Sequence, residues 1–325
     1  MRSFTLKCLS RGRLFSLALI TTLGIVAPAV QADTKLAMGT GAKTGYYFSV
    51  GNLLCKSFVK AMSGNKCRAR TTDGALENLA KLRRGKYDIV VVRSDWALNA
   101  RDGSGFFENK KPDAALRSLF STHSVPLTVI ARTGSGITSL KDLNGKRVRL
   151  GGSASRLARK LPYAESWDIS GFRTISFGEM DDQRKALCKG EIDAVASVVG
   201  YPSSLIQKTA QTCAIQLVEL SGRDIDRLVS GSDALSEVTI PANTYKGVTS
   251  PTKTFGYKAI LLSSANVPDD DVYAFVKSTF ENLPQLTAGH PALKGLQPAD
   301  MIRDGLPAPL HPGAARYYRE RGWIN

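Results

Sequence analysis

The chain has 325 residues and a net charge of +16, and its basic residues are scattered rather than gathered into a stripe with interleaved aromatic residues. This distribution argues against a nucleic-acid-binding protein and favours a surface that attracts anions in general. The chain holds three histidines, with no G-x-S-x-G or H-E-x-x-H motif and no C-x-x-C pair. We therefore expect no enzymatic activity, no metal site and no cofactor.

The first 32 residues have the features of a cleavable signal peptide. Four basic residues come first, an apolar run from Leu14 to Ala29 follows, and the small residues Val30 and Ala32 suit a signal peptidase. The apolar run is too short to span a bilayer well, although a membrane anchor is the alternative. We expect cleavage after Ala32 and a periplasmic location, and the remaining chain then carries a net charge of +12.

Four cysteines remain beyond the leader, and an even number in an exported protein indicates two disulfides. Three pairings are possible. We favour Cys55–Cys67 and Cys188–Cys213, because each of these bonds closes one local helix-to-strand unit.

Short apolar runs alternate with amphipathic segments along the chain. Strands are predicted, in chain order, at 35–38, 89–92, 126–131, 147–150, 193–199, 214–219 and 255–262. Helices are predicted at 47–61, 76–82, 139–145, 182–189 and 202–211, and over most of the chain after residue 268. This alternation predicts an α/β protein with a mostly parallel sheet covered by helices.

The strands at 126–131 and 255–262 lie at similar distances from the middle of the chain, and they are candidates for a paired hinge. The chain would enter a second lobe through one strand and return through the other. On this hypothesis lobe I comprises residues 33–127 and 254–325, and lobe II comprises residues 128–253.

Ligands of open α/β sheets bind beyond the carboxyl ends of the strands. Four predicted loops have this position, at 39–47, 71–74, 93–96 and 151–156, and the loop at 200–202 is a weaker candidate. The glycines of the first loop lack the spacing of a dinucleotide fingerprint, and no phosphate-loop motif is present.

Micromolar binding requires about −8 kcal/mol, which helix termini alone do not supply. A buried arginine with aromatic area is therefore expected, and Arg93, Arg156, Tyr47 and Trp96 are the best placed. The alternatives stay open: Asp73 and Asp95 have the residue type and position of helix N-caps, and either arginine is equally compatible with simple surface solvation.

Several motifs together make the sequence resemble the TAXI-type solute receptors of tripartite ATP-independent periplasmic (TRAP) transporters. The matching stretches are 39–41 with 44–47, 93–96, 135–148, 190–194, 241–245, and 305–306 with 309–314 and 317–318. The resemblance implies a type II periplasmic-binding-protein-like fold, with two α/β lobes joined by a two-strand hinge and the ligand cleft between them. It also implies membrane subunits of a TRAP transporter as the partner, and we expect a monomer.

The resemblance further implies that Thr44, Gly45, Tyr47, Ser94 and a loop containing Ser153 and Ser155 line the cleft. Its ligands would be small anionic organic solutes, such as glutamate-like amino acids or dicarboxylates. A receptor coupled to an ABC transporter, or a ligand sensor, of the same fold is the alternative.

The chain departs from the family pattern at Asp73, Ala75 and Arg93 and in the loop at 152–155. The identity of the ligand is therefore not transferred from the family. Our hypothesis is that Arg93 or Arg156 pairs with a ligand carboxylate, while Asp73 meets an ammonium group.

Overall fold

The computed structural model describes residue 1 and residues 34–61, 63–151, 154, 157 and 180–325. The predicted leader and its cleavage site thus lie outside the described residues, apart from residue 1. The strands are β1 (Lys35–Gly39), β2 (Lys66–Arg70), β3 (Ile89–Arg93), β4 (Leu116–Arg132), β5 (Val148–Leu150), β6 (Ala194–Val198), β7 (Ile215–Leu217), β8 (Leu235–Ile240) and β9 (Thr252–Ser264).

Helices follow most of these strands. They are α1 (Tyr46–Ala61), α2 (Ala75–Arg83), α3 (Ser94–Asp102), α4 (Met180–Lys189), α5 (Ser204–Thr212), α6 (Arg223–Ser230), α7 (Asp269–Glu281), α8 (Leu283–Gly289), α9 (Pro298–Met301) and α10 (Pro312–Glu320). Short 3-10 helices lie at Gly105–Phe107, Leu140–Leu143 and Pro291–Leu293. Among the described residues, no helix combines the length and the hydropathy that a membrane span requires.

The described strands form a mixed sheet in the order β2-β1-β3-β9-β4-β6-β5, with β7 also paired to β4 and β8 to β9. Pairing is parallel in β1–β2, β1–β3 and β5–β6, whereas β4 and β9 run antiparallel to all their described neighbours. The prediction of a mostly parallel sheet was therefore wrong. The two strands that carry the chain between the halves run against the strands that flank them.

The strand β4 is much longer than the segment predicted at 126–131. Its first part, Leu116–Pro126, pairs with β9, and its second part, Leu127–Ala131, pairs with β6. Polar residues such as Ser121 and Thr122 concealed the first part, since they break the apolar pattern although both are buried. The Thr122 hydroxyl donates to the Ala259 carbonyl (3.0 Å), which satisfies it inside the protein.

The strands β4 and β9 approach each other closely where Pro126 faces Gly256. A β-carbon added at Gly256 would lie 2.4 Å from the Cα of Pro126 and 2.7 Å from the Val125 carbonyl oxygen. Only glycine therefore fits this crossing, which lies where β4 passes from one set of neighbours to the other.

Apolar clusters cover both faces of each half of the sheet. In the first half, Val91 packs with α1, α7 and α10, and Val92 packs on the opposite face with α2 and α3. In the second half, Val129 packs with α6, and Ile130 packs on the opposite face with α4 and α5. The predicted architecture of two α/β lobes joined by a pair of strands is thus confirmed, and the exact lobe boundaries stay a prediction.

Two disulfides join Cys55 to Cys67 and Cys188 to Cys213, which is the pairing favoured from the sequence. The first ties α1 to β2, and the second ties the end of α4 to the residue after α5. The residue separations of 12 and 25 correspond to loops whose closure stabilises a fold by about 3 kcal/mol each.

Candidate functional site

The loops that follow β1, β2 and β3 meet at one edge of the first lobe. The Thr72 N–H donates to the Gly41 carbonyl (3.2 Å), which joins the loops after β1 and β2. Asn78 is fully buried, and its Nδ2 donates to the carbonyls of Thr40 (2.6 Å) and Val91 (2.9 Å). The side chain of Asn78, which the sequence analysis did not single out, thus ties the end of β1 to β3.

Arg93 is the charged centre of this edge. Its Nε and Nη2 donate to Asp95 Oδ1 (2.6 Å) and Oδ2 (2.7 Å), and only 11% of the Arg93 side chain is exposed. The guanidinium carbon lies 4.9 Å from the ring centre of Tyr257. Surface solvation of Arg93 is therefore wrong, and so is the capping role for Asp95, whose carboxylate binds the arginine instead. The pairing of Arg93 with a ligand carboxylate stays a prediction.

Tyr47 belongs to the same cluster through its position in the first turn of α1. Burial raises the pKa of Tyr47 to about 12, while the charge of Arg93 lowers it and the charge of Asp95 raises it. The phenol is therefore a neutral hydrogen-bonding group at physiological pH.

Ser94 is fully buried at the junction of β3 and α3. Its hydroxyl donates to the Ala234 carbonyl (2.6 Å) and accepts from the Lys258 N–H (3.2 Å). In this conformation the Ser94 hydroxyl holds together three segments of chain, and its predicted contact with a ligand stays untested.

The remaining predicted residues of lobe I lie near the surface. Thr44 is exposed, and the Gly45 N–H donates to the Ala42 carbonyl (2.8 Å) just before α1. Asp73 is exposed and does not cap α2, because Gly74 is the N-cap residue and has no side chain. The capping alternative for Asp73 was therefore wrong. Ser153, Ser155 and Arg156 lie outside the described residues.

Aromatic side chains connect this edge with the loop after β6. The Tyr46 hydroxyl donates to the Pro202 carbonyl (2.6 Å). The ring of Tyr46 lies 5.8 Å from that of His123 and 5.0 Å from that of His290, both edge-on. Gly200 packs against Tyr46 and His123, where an added β-carbon would lie within 3.5 Å of both rings. The structure thus brings together the loops at 39–47 and 200–202.

His123 is a central residue that the sequence analysis passed over as a catalytic candidate. It is buried on β4, with the ring of Tyr47 also 5.8 Å away. Burial lowers the pKa of His123 to about 3, with smaller contributions from the charges of His290 and Lys258. The neutral imidazole of His123 therefore lines the site without adding a charge to it.

The chemistry of this edge suits binding. It offers an internally balanced ion pair, neutral aromatic rings and the N-terminus of α1. Within the described part of the chain, no group of three or more His, Cys, Asp or Glu side chains is placed to hold a metal ion.

Comparison with known proteins adds family and fold. A TctC solute-binding protein from Polaromonas aligns over 88% of this chain and 94% of its own, with 13% identity and a TM-score of 0.53. The periplasmic aliphatic sulphonate binding protein SsuA from Escherichia coli aligns over 88% and 83%, with 15% identity and a TM-score of 0.47.

The L-cystine solute receptor of Neisseria gonorrhoeae aligns over 78% and 90%, with 14% identity and a TM-score of 0.43. Of these three structures, the Polaromonas protein supports the type II periplasmic-binding-protein-like fold. The model of the NMT1-like family matches residues 38–322, which is most of the sequence, and this chain therefore belongs to the NMT1-like family.

Proposed function

We propose that this protein is a periplasmic receptor that captures a small carboxylate-containing solute between its two lobes and delivers it to a TRAP-type secondary transporter. The observation that carries the proposal is the hydrogen bond from the Tyr46 hydroxyl to the Pro202 carbonyl. It joins the first turn of α1 in lobe I to the loop after β6 in lobe II, at the edge where the strand-end loops meet.

An anionic solute suits this edge for two reasons. The α1 helix is 16 residues long, and the free N–H groups of its first turn favour negative charge. The net positive charge of the chain attracts anions and raises their rate of encounter. Arg93, whose charge Asp95 balances here, would bind a ligand carboxylate by exchanging its partner.

The TRAP-type partner is proposed from the sequence motifs. The stretches at 39–47 and 305–318 carry the resemblance to the TAXI-type receptors, and the NMT1-like family and the two-lobed fold support a solute-binding role. Receptors of this fold grip a ligand by closing two lobes, so no catalytic group is required.

A thermal-shift screen of organic acids and amino acids tests the proposal, followed by calorimetry on the best ligand. We expect the ligand to raise the melting temperature by mass action. Tyr46→Phe should weaken binding about fivefold, because it removes one hydrogen bond between the closed lobes. The matched control is Tyr273→Phe. The Tyr273 hydroxyl, which this variant removes, donates to Glu320 between the exposed faces of α7 and α10.

Equal affinity in the two tyrosine variants would contradict the role of Tyr46. Absence of any stabilising solute would contradict the receptor function itself. Uptake measured in reconstituted vesicles with an ion gradient, compared with ATP, separates a TRAP partner from an ABC partner.

A further inference from the structure

A second cavity lies beside the crossing strands, away from the Arg93–Tyr257 contact. Its volume is about 390 Å³, and its inner wall includes His123, Ser124, Val238 and Lys258. Because successive side chains of a strand point to opposite faces, Lys258 faces the other side of β9 from Tyr257, which contacts Arg93. The cavity therefore lies on the other face of β9 from the ion pair, and the ring of His123 forms a wall between the cavity and the rings of Tyr46 and Tyr47.

Lys258 supplies an ammonium group to this cavity. Only 10% of its side chain is exposed, and its nearest anionic partner, Asp304 Oδ2, lies 3.9 Å from Nζ. That separation exceeds hydrogen-bond length, and no described residue accepts a hydrogen bond from Nζ. The ammonium group of Lys258 therefore keeps N–H donors that no described residue occupies, and these donors are available to water or to a ligand.

The carboxylates near Lys258 are shared with a second cation, Arg303. Asp304 also accepts from Arg303 Nε (2.9 Å), and Asp300 accepts from Arg303 Nη2 (2.9 Å). Arg303 thus donates to both carboxylates of the cavity wall. His123, on the same wall, is neutral because burial lowers its pKa to about 3.

The rim of the cavity has the opposite character. Glu237 and Lys294 are exposed there and offset each other, and Asp300 and Asp304 exceed the single charge of Arg303. The rim therefore keeps an excess of negative charge around an interior cation. This arrangement repels a compact dianion such as phosphate and complements a molecule with one charge of each sign.

We propose that this cavity is a second ligand site, which takes a small zwitterion such as a free amino acid. The carboxylate binds Lys258 Nζ inside, and the ammonium group faces Asp300, Asp304 and Glu237 at the rim. The polar groups of Ser124 and Thr239 line the path between the two ends and supply further hydrogen bonds.

Calorimetry on the full-length mature chain tests the site, with three probes: a panel of common amino acids, propionate and inorganic phosphate. We expect an amino acid to bind, propionate to bind more weakly because it lacks the ammonium group, and phosphate not to bind. Lys258→Met keeps the length of the side chain and removes its charge. It should raise the Kd of the bound amino acid about 10- to 100-fold, the range expected for one charge-assisted hydrogen bond.

The matched control is Lys294→Met, an exposed lysine on the rim of the same cavity. Its Kd should stay within about twofold of the wild type, because exposed charges are screened by water and salt. Tyr46→Phe keeps the ring that packs on His123 and removes only a hydroxyl that does not line the cavity. It should therefore also change this Kd by less than about twofold, whereas it weakens binding in the cleft between the lobes.

The inference is overturned if no amino acid binds, if Lys258→Met binds as the wild type does, or if Tyr46→Phe rather than Lys258→Met weakens the amino acid. The last result would still support the receptor function proposed above. The melting temperature of Lys258→Met identifies a merely structural role for the lysine. A large fall in melting temperature with unchanged affinity would show that Lys258 acts only through its contact with Asp304.

Discussion

Two arginine–aspartate pairs of nearly the same geometry occupy opposite environments. Arg93 binds Asp95 at 2.6 and 2.7 Å at the carboxyl end of β3, and Arg147 binds Asp193 at 3.0 and 2.8 Å just before β5. The exposed fraction of the arginine side chain is 11% in the first pair and 59% in the second.

The difference in burial gives the two arginine–aspartate pairs different roles. Around Arg147 water solvates the guanidinium if the pair breaks, so this pair contributes less to stability. Around Arg93 a broken pair leaves a charge without solvent, so the pair must remain intact unless another anion replaces Asp95. A buried and exchangeable pair at a strand end is suited to receive a ligand carboxylate, and the exposed pair is not.

Removing the carboxylate from each pair should give the largest difference in stability between the two pairs. Asp95→Asn should lower the free energy of unfolding by about 3 kcal/mol, because it removes the carboxylate that pairs with the buried guanidinium of Arg93. Asp193→Asn should lower it much less, because the guanidinium of Arg147 remains in water without its partner. Urea denaturation of both variants measures the difference, and equal losses would contradict the comparison.

The hydroxyl next to Arg93 offers a second test of the same interior. Ser94→Ala should cost about 2 kcal/mol, because it leaves the Ala234 carbonyl and the Lys258 N–H without their shared partner. Ser221→Ala removes an exposed hydroxyl that donates to Glu219 and should cost nearly nothing. Matching melting temperatures for the two variants would show that water replaces the Ser94 hydroxyl.

The pH dependence of folding stability offers a third test of the buried interior, through His123. Its folded-state pKa of about 3 lies below the unfolded value of 6.5, so the unfolded chain takes up the proton first. The stability that His123 contributes is complete above pH 6.5 and is lost as the pH falls toward 3, at about 1 kcal/mol per pH unit. His123→Phe keeps a ring beside Tyr46 and Tyr47 and should unfold with a weaker dependence on pH.

Urea midpoints for the wild type and His123→Phe between pH 4 and pH 7 provide the measurement. The Arg147–Asp193 pair also contributes to the pH dependence, because Arg147 holds the pKa of Asp193 below its usual range. This contribution is the same in both proteins and cancels in the difference between them. If the urea midpoints of the two proteins changed with pH in parallel, the pKa of His123 would be the same in the folded and unfolded states, which would contradict the prediction.

Local structure was predictable wherever residue types repeat at a regular spacing. The buried run of β3, the apolar face of α1 and the pairing of the cysteines follow from neighbours in sequence. Strand direction was not predictable, since periodicity carries no information about it. The strand β8 was overlooked although Val238 and Ile240 are buried and alternate with exposed Glu237 and Thr239.

The candidate sites depended on long-range contacts. The carboxylate of Asp95 lies close to Arg93 in sequence, yet only the turn from β3 into α3 directs the two side chains toward each other. Lys258 and His123 are distant in the chain, and the pairing of β4 with β9 brings them to one cavity. Such neighbours appear only when the topology is known.

The contact between Gly256 and Pro126 has a mechanical consequence. Because both long strands serve both lobes, a methyl group at position 256 would force the two backbones apart where Gly256 faces Pro126. The displacement would pass in both directions along β4 and β9, toward the Arg93 edge and toward the loop at 200–202 alike. The absence of a side chain at position 256 thereby lets the two strands cross without displacing the loops at either end.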